Sequence, residues 1–326
     1  MIRITAVDVA ERLPREQRLL ITAHENPDGD ALGCVVGLML MAERLGVPHI
    51  GYIPGDADFP PELEFLPLLD EIARGPFPTV DQGTTAYILD CATAGRLDPE
   101  GLRCAGCCIN IDHHQDNSGF GTLNLVDPTA ASTTQILFDI FQAGALRIDA
   151  EVATALYVGL VTDTGRFQYG NTSPAAHRMA AALQEAGVDV NAVYRELYEN
   201  LALPKLLLLQ RALTRMKLLL GGRLVESWLM LDDFVECGAK ESHTEGIIDV
   251  LRTVQGVQVA ALLRERCRGR EPEFKASLRA TDGAVNVADI AHVWGGGGHV
   301  RAAGFTAYGA LDDILRRIEQ ETETRL

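Results

Sequence analysis

The stretch ITAHENPDGDALGC, residues 21–34, sets His24, Asp28 and Asp30 within seven residues directly after an apolar run. Imidazole and carboxylate at that density serve as ligands for divalent cations or as proton-transfer groups. The pattern recurs downstream. Asp90 closes TAYILD, Asp112, His113 and His114 close CCINIDHH, and Asp163 stands in LVTDTGRF. Most follow short apolar runs that read as strands, and open parallel sheets bind ligands beyond the carboxyl ends of their strands. Gly29 lets the backbone turn between Asp28 and Asp30 so that both point into one space. Aspartates packed this closely repel, and two divalent cations would supply four positive charges against four carboxylates. Mixed carboxylate and imidazole ligands without a thiolate suit manganese or cobalt better than a pure magnesium site, although magnesium stays open. Two such ions about 3.5 to 4 Å apart polarise a phosphoryl group and generate hydroxide for in-line attack. Phosphoester hydrolysis is therefore the expected chemistry. Each position alone is a weak signal, because an Asp after a strand often caps the next helix. Asp127 in VDPTAAST is read that way.

The elements that must position these groups alternate between short apolar runs and helical periodicity, the α/β pattern of a mainly parallel sheet flanked by helices. Strands are expected at 18–22, 48–53, 85–90 and 107–112, and helices at 31–45, 132–143, 150–161 and 175–186, with Gly46 and Gly187 as C-caps. LPKLLLLQRALTRMKLLL, residues 203–220, reads as one helix from Pro204, connecting and buried between domains. A second α/β unit follows, with strands near 224–231, 256–264 and 273–280, a helix near 244–254 and a last helix from 310. The expected organisation is a catalytic domain over 1–190, a helical linker over 191–222 and a smaller substrate-binding domain over 223–326, with the active site in the cleft between them.

The chain has 326 residues, 47% of them hydrophobic, and a net charge of -16. All of the excess acid lies in residues 1–200, where 12 arginines and no lysine face 28 acids; residues 201–326 hold 17 charges of each sign. Such a field disfavours long duplex nucleic acid, whose binding requires net neutralisation of phosphates. No apolar run reaches the roughly 18 residues of a membrane span, and the N-terminus lacks a signal-peptide core. A soluble cytoplasmic protein without membrane partners is expected. Seven scattered cysteines, with one CxxC at 104–107, read as reduced thiols.

In VWGGGGHVRAAGF the glycines Gly295, Gly296, Gly297 and Gly298 remove side chains that would block a ligand, beside His299 and Arg301. A helix starting soon afterwards would aim backbone N–H groups at an anion. Arg264, Arg266, Arg268, Arg270, Lys275 and Arg279 cluster within 16 residues, and strand alternation places Lys275, Ser277 and Arg279 on one face. Aromatic residues make up only 6% of the chain, and no stacking ladder for a long single strand is visible, which favours short oligonucleotides.

HENPDGDALG, ILDCATAGRL, NIDHHQDN and VTDTGRFQYGNTS resemble, in order, the motifs of the DHH phosphoesterase superfamily, and WGGGGHVRAAGF resembles the signature of the DHH-associated C-terminal domain. The resemblance runs from about residue 8 to the end and is nearest the NrnA-type oligoribonucleases and 3',5'-bisphosphate nucleotide phosphatases. It implies that His24 and Asp28 hold one metal and Asp30 and His113 the other, with Asp90 bridging and Asp163 completing the cluster. His114 would face the scissile phosphate, Asp112 would orient an imidazole, and GGGGH and Arg166 would contact substrate; the division between His113 and His114 stays open. Gln168 departs from the basic residue expected there. The implied activity is two-metal, manganese-dependent hydrolysis of RNA of about 2 to 5 nucleotides and of adenosine 3',5'-bisphosphate. Attack from the 5' end and a homodimer are also implied. Alternatives are a cyclic di-AMP or pApA phosphodiesterase, an inorganic pyrophosphatase and a non-catalytic nucleotide-binding regulator.

Overall fold

The computed structural model describes residues 2–267, 271–281 and 284–326, so Arg268 and Arg270 lie outside the described residues. The chain forms two compact units, Met1–Asn200 and Leu201–Leu326. In the first, the order is β1 (Ile2–Arg3), α1 (Ala6–Arg12), β2 (Arg18–Thr22), α2 (Gly29–Leu45), β3 (His49–Tyr52), β4 (Thr84–Leu89), α3 (Pro99–Leu102), β5 (Cys107–Asp112), β6 (Leu123–Val126), α4 (Thr133–Ala143), α5 (Ala150–Asp163), α6 (Pro174–Glu185) and α7 (Val190–Tyr194). The second holds α8 (Leu203–Thr214), β7 (Lys217–Leu219), β8 (Leu224–Leu229), α9 (Leu231–Cys237), α10 (Ile247–Arg252), β9 (Val259–Cys267), β10 (Glu273–Ala280), α11 (Val287–His292), β11 (Gly297–His299), β12 (Ala302–Tyr308) and α12 (Leu311–Glu323).

The first sheet is parallel throughout, in the order β1-β6-β5-β4-β2-β3. Covered on both faces, its central strands lose the polar alternation of a half-exposed sheet, and TTAYIL in β4 is buried at every position. Helix α2 is buried from Gly29 to Ala42, the behaviour of a helix apolar all round. Glycines let α2 and α5 touch: a Cβ on Gly33 would stand 2.5 Å from the Ala155 carbonyl oxygen. Gly46, at φ 69°, ends α2 in the left-handed conformation, and Ser132 and Asp149 cap α4 and α5. Asp127 accepts from the amide and hydroxyl of Thr129, so it is a turn residue.

The second sheet runs β11-β12-β10-β9-β8-β7, antiparallel except for β8 against β9. Two expectations are corrected here. The run 203–220 is not one helix: it ends at Thr214, and Lys217–Leu219 pairs as an edge strand with β8. Leu208 and Ala212 of α8 are buried with Val225, Leu229, Ile247 and Leu262, so this helix belongs to the core of the second unit. The last two glycines of the run open a β-hairpin, β11 and β12, where a helix was expected to follow, because AAGFTAY alternates and buries Ala303, Phe305 and Ala307 on one face. Among the described residues no helix is long and apolar enough to cross a membrane. All seven cysteines are free thiols.

Glu226 of β8 is 2% exposed, and its Oε1 has no hydrogen-bond partner. Burial and the nearby charge of Glu319 push its carboxyl up to about 8. The folded protein therefore keeps a proton that the unfolded chain releases near the ordinary Glu value. Stability falls as pH rises from that value and the loss is complete above about 8. Glu226→Gln is expected to raise the melting temperature by a few degrees at about pH 9 and to leave it near wild type at about pH 5. An equal change at both pH values in thermal melts would refute the assignment.

Candidate metal centre

Strand order decides which groups meet. β5, β4 and β2 are consecutive neighbours, so the segments leaving their carboxyl ends converge on one spot. β2 delivers His24 and Asp28, the first turn of α2 Asp30, β4 Asp90, and β5 Asp112, His113 and His114. The last residue of α5 adds Asp163. Asp90 adopts φ 53°, a left-handed conformation uncommon for a residue with a side chain, while its amide donates to the Ile111 carbonyl.

Three sets of ligand atoms lie within 4.8 Å of one another: His24 with Asp28 and Asp90, Asp30 with His113 and Asp163, and Asp90 with His113 and His114. Asp90 faces both sides. Its Oδ2 is 3.7 Å from His24 Nε2, and its Oδ1 is 3.7 Å from His113 Nε2. His113 Nε2 also lies 3.4 Å from Asp163 Oδ2. Atoms each about 2.1 Å from a shared ion stand about 3 to 4 Å apart, so these spacings fit divalent cations. The electrostatics agree. Asp30 and Asp90 are 1% and 2% exposed, and among the described residues no Lys or Arg pairs with Asp28, Asp30, Asp90 or Asp163. Burial and the charges of Asp90 and Asp28 hold the Asp30 carboxyl well above the usual range. Burial, with the charges of Asp30, Asp90, Asp28 and Asp112, pushes Asp163 up to about 10. A cluster that cannot ionise fully by itself, built from oxygen and imidazole donors, fits the divalent ions expected from the sequence.

The ring orientations are set by outer contacts. His113 Nδ1 lies 3.4 Å from the Ala130 carbonyl, which turns Nε2 towards the cluster. His114 Nδ1 is 2.7 Å from Asp112 Oδ1. Asp112, fully buried, also accepts from the His113 amide and from Asn117. The Asp112 hydrogen bond raises His114 to about 9, overcoming burial, and the charge of Asp90 adds to it.

Arg96 was not singled out from the sequence. Its Nη2 lies 2.8 Å from His24 Nδ1, which is also 2.8 Å from the Glu25 carbonyl. One ring nitrogen cannot accept from Arg96 and donate to Glu25 at once. A cation held by Nε2 would require a proton on Nδ1, which would keep the Glu25 bond and free the guanidinium beside the cluster. The local signal was a lone arginine in a loop, which by itself reads as solvated surface. Thr133 and Thr134, also missed, contact the cluster from the start of α4.

Of the residues expected to contact substrate in the second unit, Lys275, Ser277, Arg279, Gly297 and His299 share one sheet face. Register aligns Ser277, Gly304 and Gly297 in one row, Arg279, Ala302 and His299 in the next, and Arg264, Lys275 and Thr306 in a third. Residues directly opposite share a face. Helices α8, α9 and α10 bury that face over Val225, Leu229, Ala260 and Leu262, whereas Lys275, His299 and Thr306 are exposed. Arg279 stands 3.6 Å from Asp249. Arg301 is exposed in the hairpin turn, and its carbonyl accepts from the Ala280 amide. The glycines differ in purpose. A Cβ on Gly296 or Gly298 would strike the backbone of β12 at 2.3 and 2.4 Å, while at Gly297 the nearest atom is His292 Nε2 at 3.8 Å and at Gly295 nothing is close. Hairpin packing, not ligand access, thus demands Gly296 and Gly298. Arg166 lies in the first unit, exposed, at φ 63° and with its guanidinium 4.8 Å over the Tyr198 ring.

Residues 18–160 match the DHH family, N-terminal domain, and residues 230–324 match the DHHA1 domain. The bifunctional oligoribonuclease and PAP phosphatase NrnA of Thermus thermophilus is 35% identical over 315 residues, covering 95% of this chain and 91% of the relative. An exopolyphosphatase-related protein from Bacteroides fragilis superposes with a TM-score of 0.88 at 23% identity, over 98% of this chain and 96% of the other. Exonuclease RecJ bound to manganese shares the fold at a TM-score of 0.55 and 15% identity, over 97% and 93% of the two chains. With both domains matched in order and a relative alike across nearly its whole length, the chain belongs to the DHH phosphoesterase family, in its NrnA-type group.

Proposed function

We propose that this protein is a divalent-metal phosphoesterase that hydrolyses short RNA oligonucleotides to mononucleotides and removes the 3'-phosphate from adenosine 3',5'-bisphosphate. The observation carrying this reading is the convergence of His24, Asp28, Asp30, Asp90, His113 and Asp163, in a chain 35% identical to an NrnA. His24 and Asp28 would hold one cation, Asp30, His113 and Asp163 would hold the other, and Asp90 would serve both. Bound there, two cations supply positive charge for the attacking and leaving oxygens of an in-line displacement. Manganese is the preferred ion in this reading, in keeping with the manganese-bound RecJ of like fold. His113 would ligate through Nε2, the ring nitrogen that faces Asp163. His114, held by Asp112 through Nδ1, turns its Nε2 to the leaving oxygen and can deliver a proton there. Arg96, released from His24, pairs with a phosphate oxygen. Lys275, Ser277, Arg279, Gly297 and His299, with Arg301, are the nucleotide contacts of the second unit in this reading, and Arg166 is the candidate contact in the first.

The test is product analysis with manganese on RNAs of two to five nucleotides, a 24-mer, adenosine 3',5'-bisphosphate, pApA and cyclic di-AMP. Rapid loss of the short RNAs and the bisphosphate, with the 24-mer and the cyclic dinucleotide spared, is the expected result. Preference for the cyclic dinucleotide would transfer the protein to second-messenger turnover.

A further inference from the structure

Asp30 and Asp90 reach the cluster from different elements, and a third element holds them together. The first turn of α4 packs its N-terminus on both. The amides of Thr133 and Thr134 donate to Asp30 Oδ2 and Oδ1 at 2.6 and 3.0 Å, and the Thr134 hydroxyl donates to the same Oδ1 at 2.8 Å. The Thr133 hydroxyl donates to Asp90 Oδ1 at 2.9 Å. Both threonines are fully buried. Each carboxylate oxygen offers two lone pairs. On Asp30, both lone pairs of Oδ1 are taken and one remains on Oδ2. On Asp90, Thr133 takes one of Oδ1 and none of Oδ2, the oxygen nearest His24.

The surroundings are shaped to this clamp. Gly159, in the interior of α5, would with a Cβ meet Thr134 Cγ2 at 2.5 Å and Asp30 Oδ1 at 2.6 Å. A glycine inside a helix is destabilising relative to alanine, so its presence there calls for a packing reason. The clamped pair is that reason.

We propose that Thr133 and Thr134 are positioning residues that set Asp30 as a single-oxygen ligand and fix Asp90 Oδ1. The cation position made by Asp30, Asp90, His113 and Asp163 would therefore depend on them more than the one made by His24, Asp28 and Asp90, which would use the Asp90 oxygen that Thr133 does not touch. This rests on the two-cation reading given above. Thr133 is the informative residue, because replacing it removes the hydroxyl bond to Asp90 while its backbone amide stays on Asp30 and the Gly33 and Gly159 contacts of Thr134 are untouched.

The experiment titrates metal-free protein with Mn2+, following free ion by electron paramagnetic resonance and the spin-coupled signal of the bound pair. Wild type is expected to take two ions. Thr133→Val should weaken one of the two by about tenfold to a hundredfold, lose the coupled signal and keep the other site, as removal of an outer partner of a ligand does. Thr133→Ser, which retains the hydroxyl, should restore both. Melting in chelator monitors folding, and Thr133→Ala replaces the valine variant if the latter melts early. Two unaltered affinities in Thr133→Val, or equal weakening of both sites, or failure of serine to rescue, overturns the clamp. Wild-type protein that takes up no manganese overturns the two-cation reading itself, before any variant is made.

Discussion

Asp90→Asn is expected to leave a folded protein with kcat/KM for short RNA reduced by at least about a hundredfold, the equivalent of about 3 kcal/mol of transition-state stabilisation. Asparagine is the substitution of choice because Asp90 sits at φ 53°, a conformation that asparagine tolerates and alanine resists. The amide keeps the volume and can still accept from Thr133, but it carries no charge with which to join two cations. Asp90→Ala should also abolish turnover, with an added loss of stability from the backbone. Ligand binding stabilises by mass action, so manganese at about 100 times its Kd should raise the wild-type melting free energy by about 2.7 kcal/mol, several degrees, and most of that rise should vanish in Asp90→Asn. Retained turnover of Asp90→Asn with manganese would remove the bridging role.

Gly297→Val and Gly298→Val, neighbours in one strand, are expected to fail in different ways. At Gly297 the backbone has no positive φ and the space beyond it is open, so valine should fit the strand and leave the melting temperature unchanged. Its side chain would stand on the sheet face of Lys275 and His299, in the row of Ser277 and Gly304, and obstruct a nucleotide there. KM for short RNA should rise about tenfold or more with kcat little altered, the signature of lost uniform binding. A minimal phosphodiester such as bis-p-nitrophenyl phosphate, which offers no nucleotide to that face, should be cleaved as by wild type. At Gly298, φ is 144° and a Cβ would overlap the Ala302 carbonyl, so valine should lower the melting temperature by several degrees as the hairpin shifts. If Gly297→Val leaves KM for RNA unchanged, or slows both substrates alike, that face does not bind the nucleotide.

Much of the first unit was legible in the sequence. Strands buried on both faces are continuous apolar runs, so RLLIT, TAYILD and CCINID declare themselves, and the acids that follow them fall where a parallel sheet opens its binding edge. The second unit was less legible. Its last strand, AAGFTAY, is built from small residues whose alternation is faint beside the glycine run, and a helix was expected in its place. The leucine-rich run from Leu203 looked like one continuous helix because Met216–Leu220 fits helical as well as strand spacing over so short a span.

What the sequence by itself determined was local: the types of the ligands, their order along the chain and their attachment to strand ends, all carried by short apolar runs and the residues next to them. What only the tertiary structure decided was which of those groups face one another. The sheet order that sets β4 between β2 and β5 turns the two oxygens of Asp90 towards different histidines. The approach of α4 to α2 brings Thr133 to Asp30 across 103 residues, and the loop after β4 carries Arg96 to His24 across 72. These are long-range contacts made by packing and hydrogen bonding between separate elements. No periodicity within one element encodes them, and they arise only once the sheet has paired and its helices have closed over it.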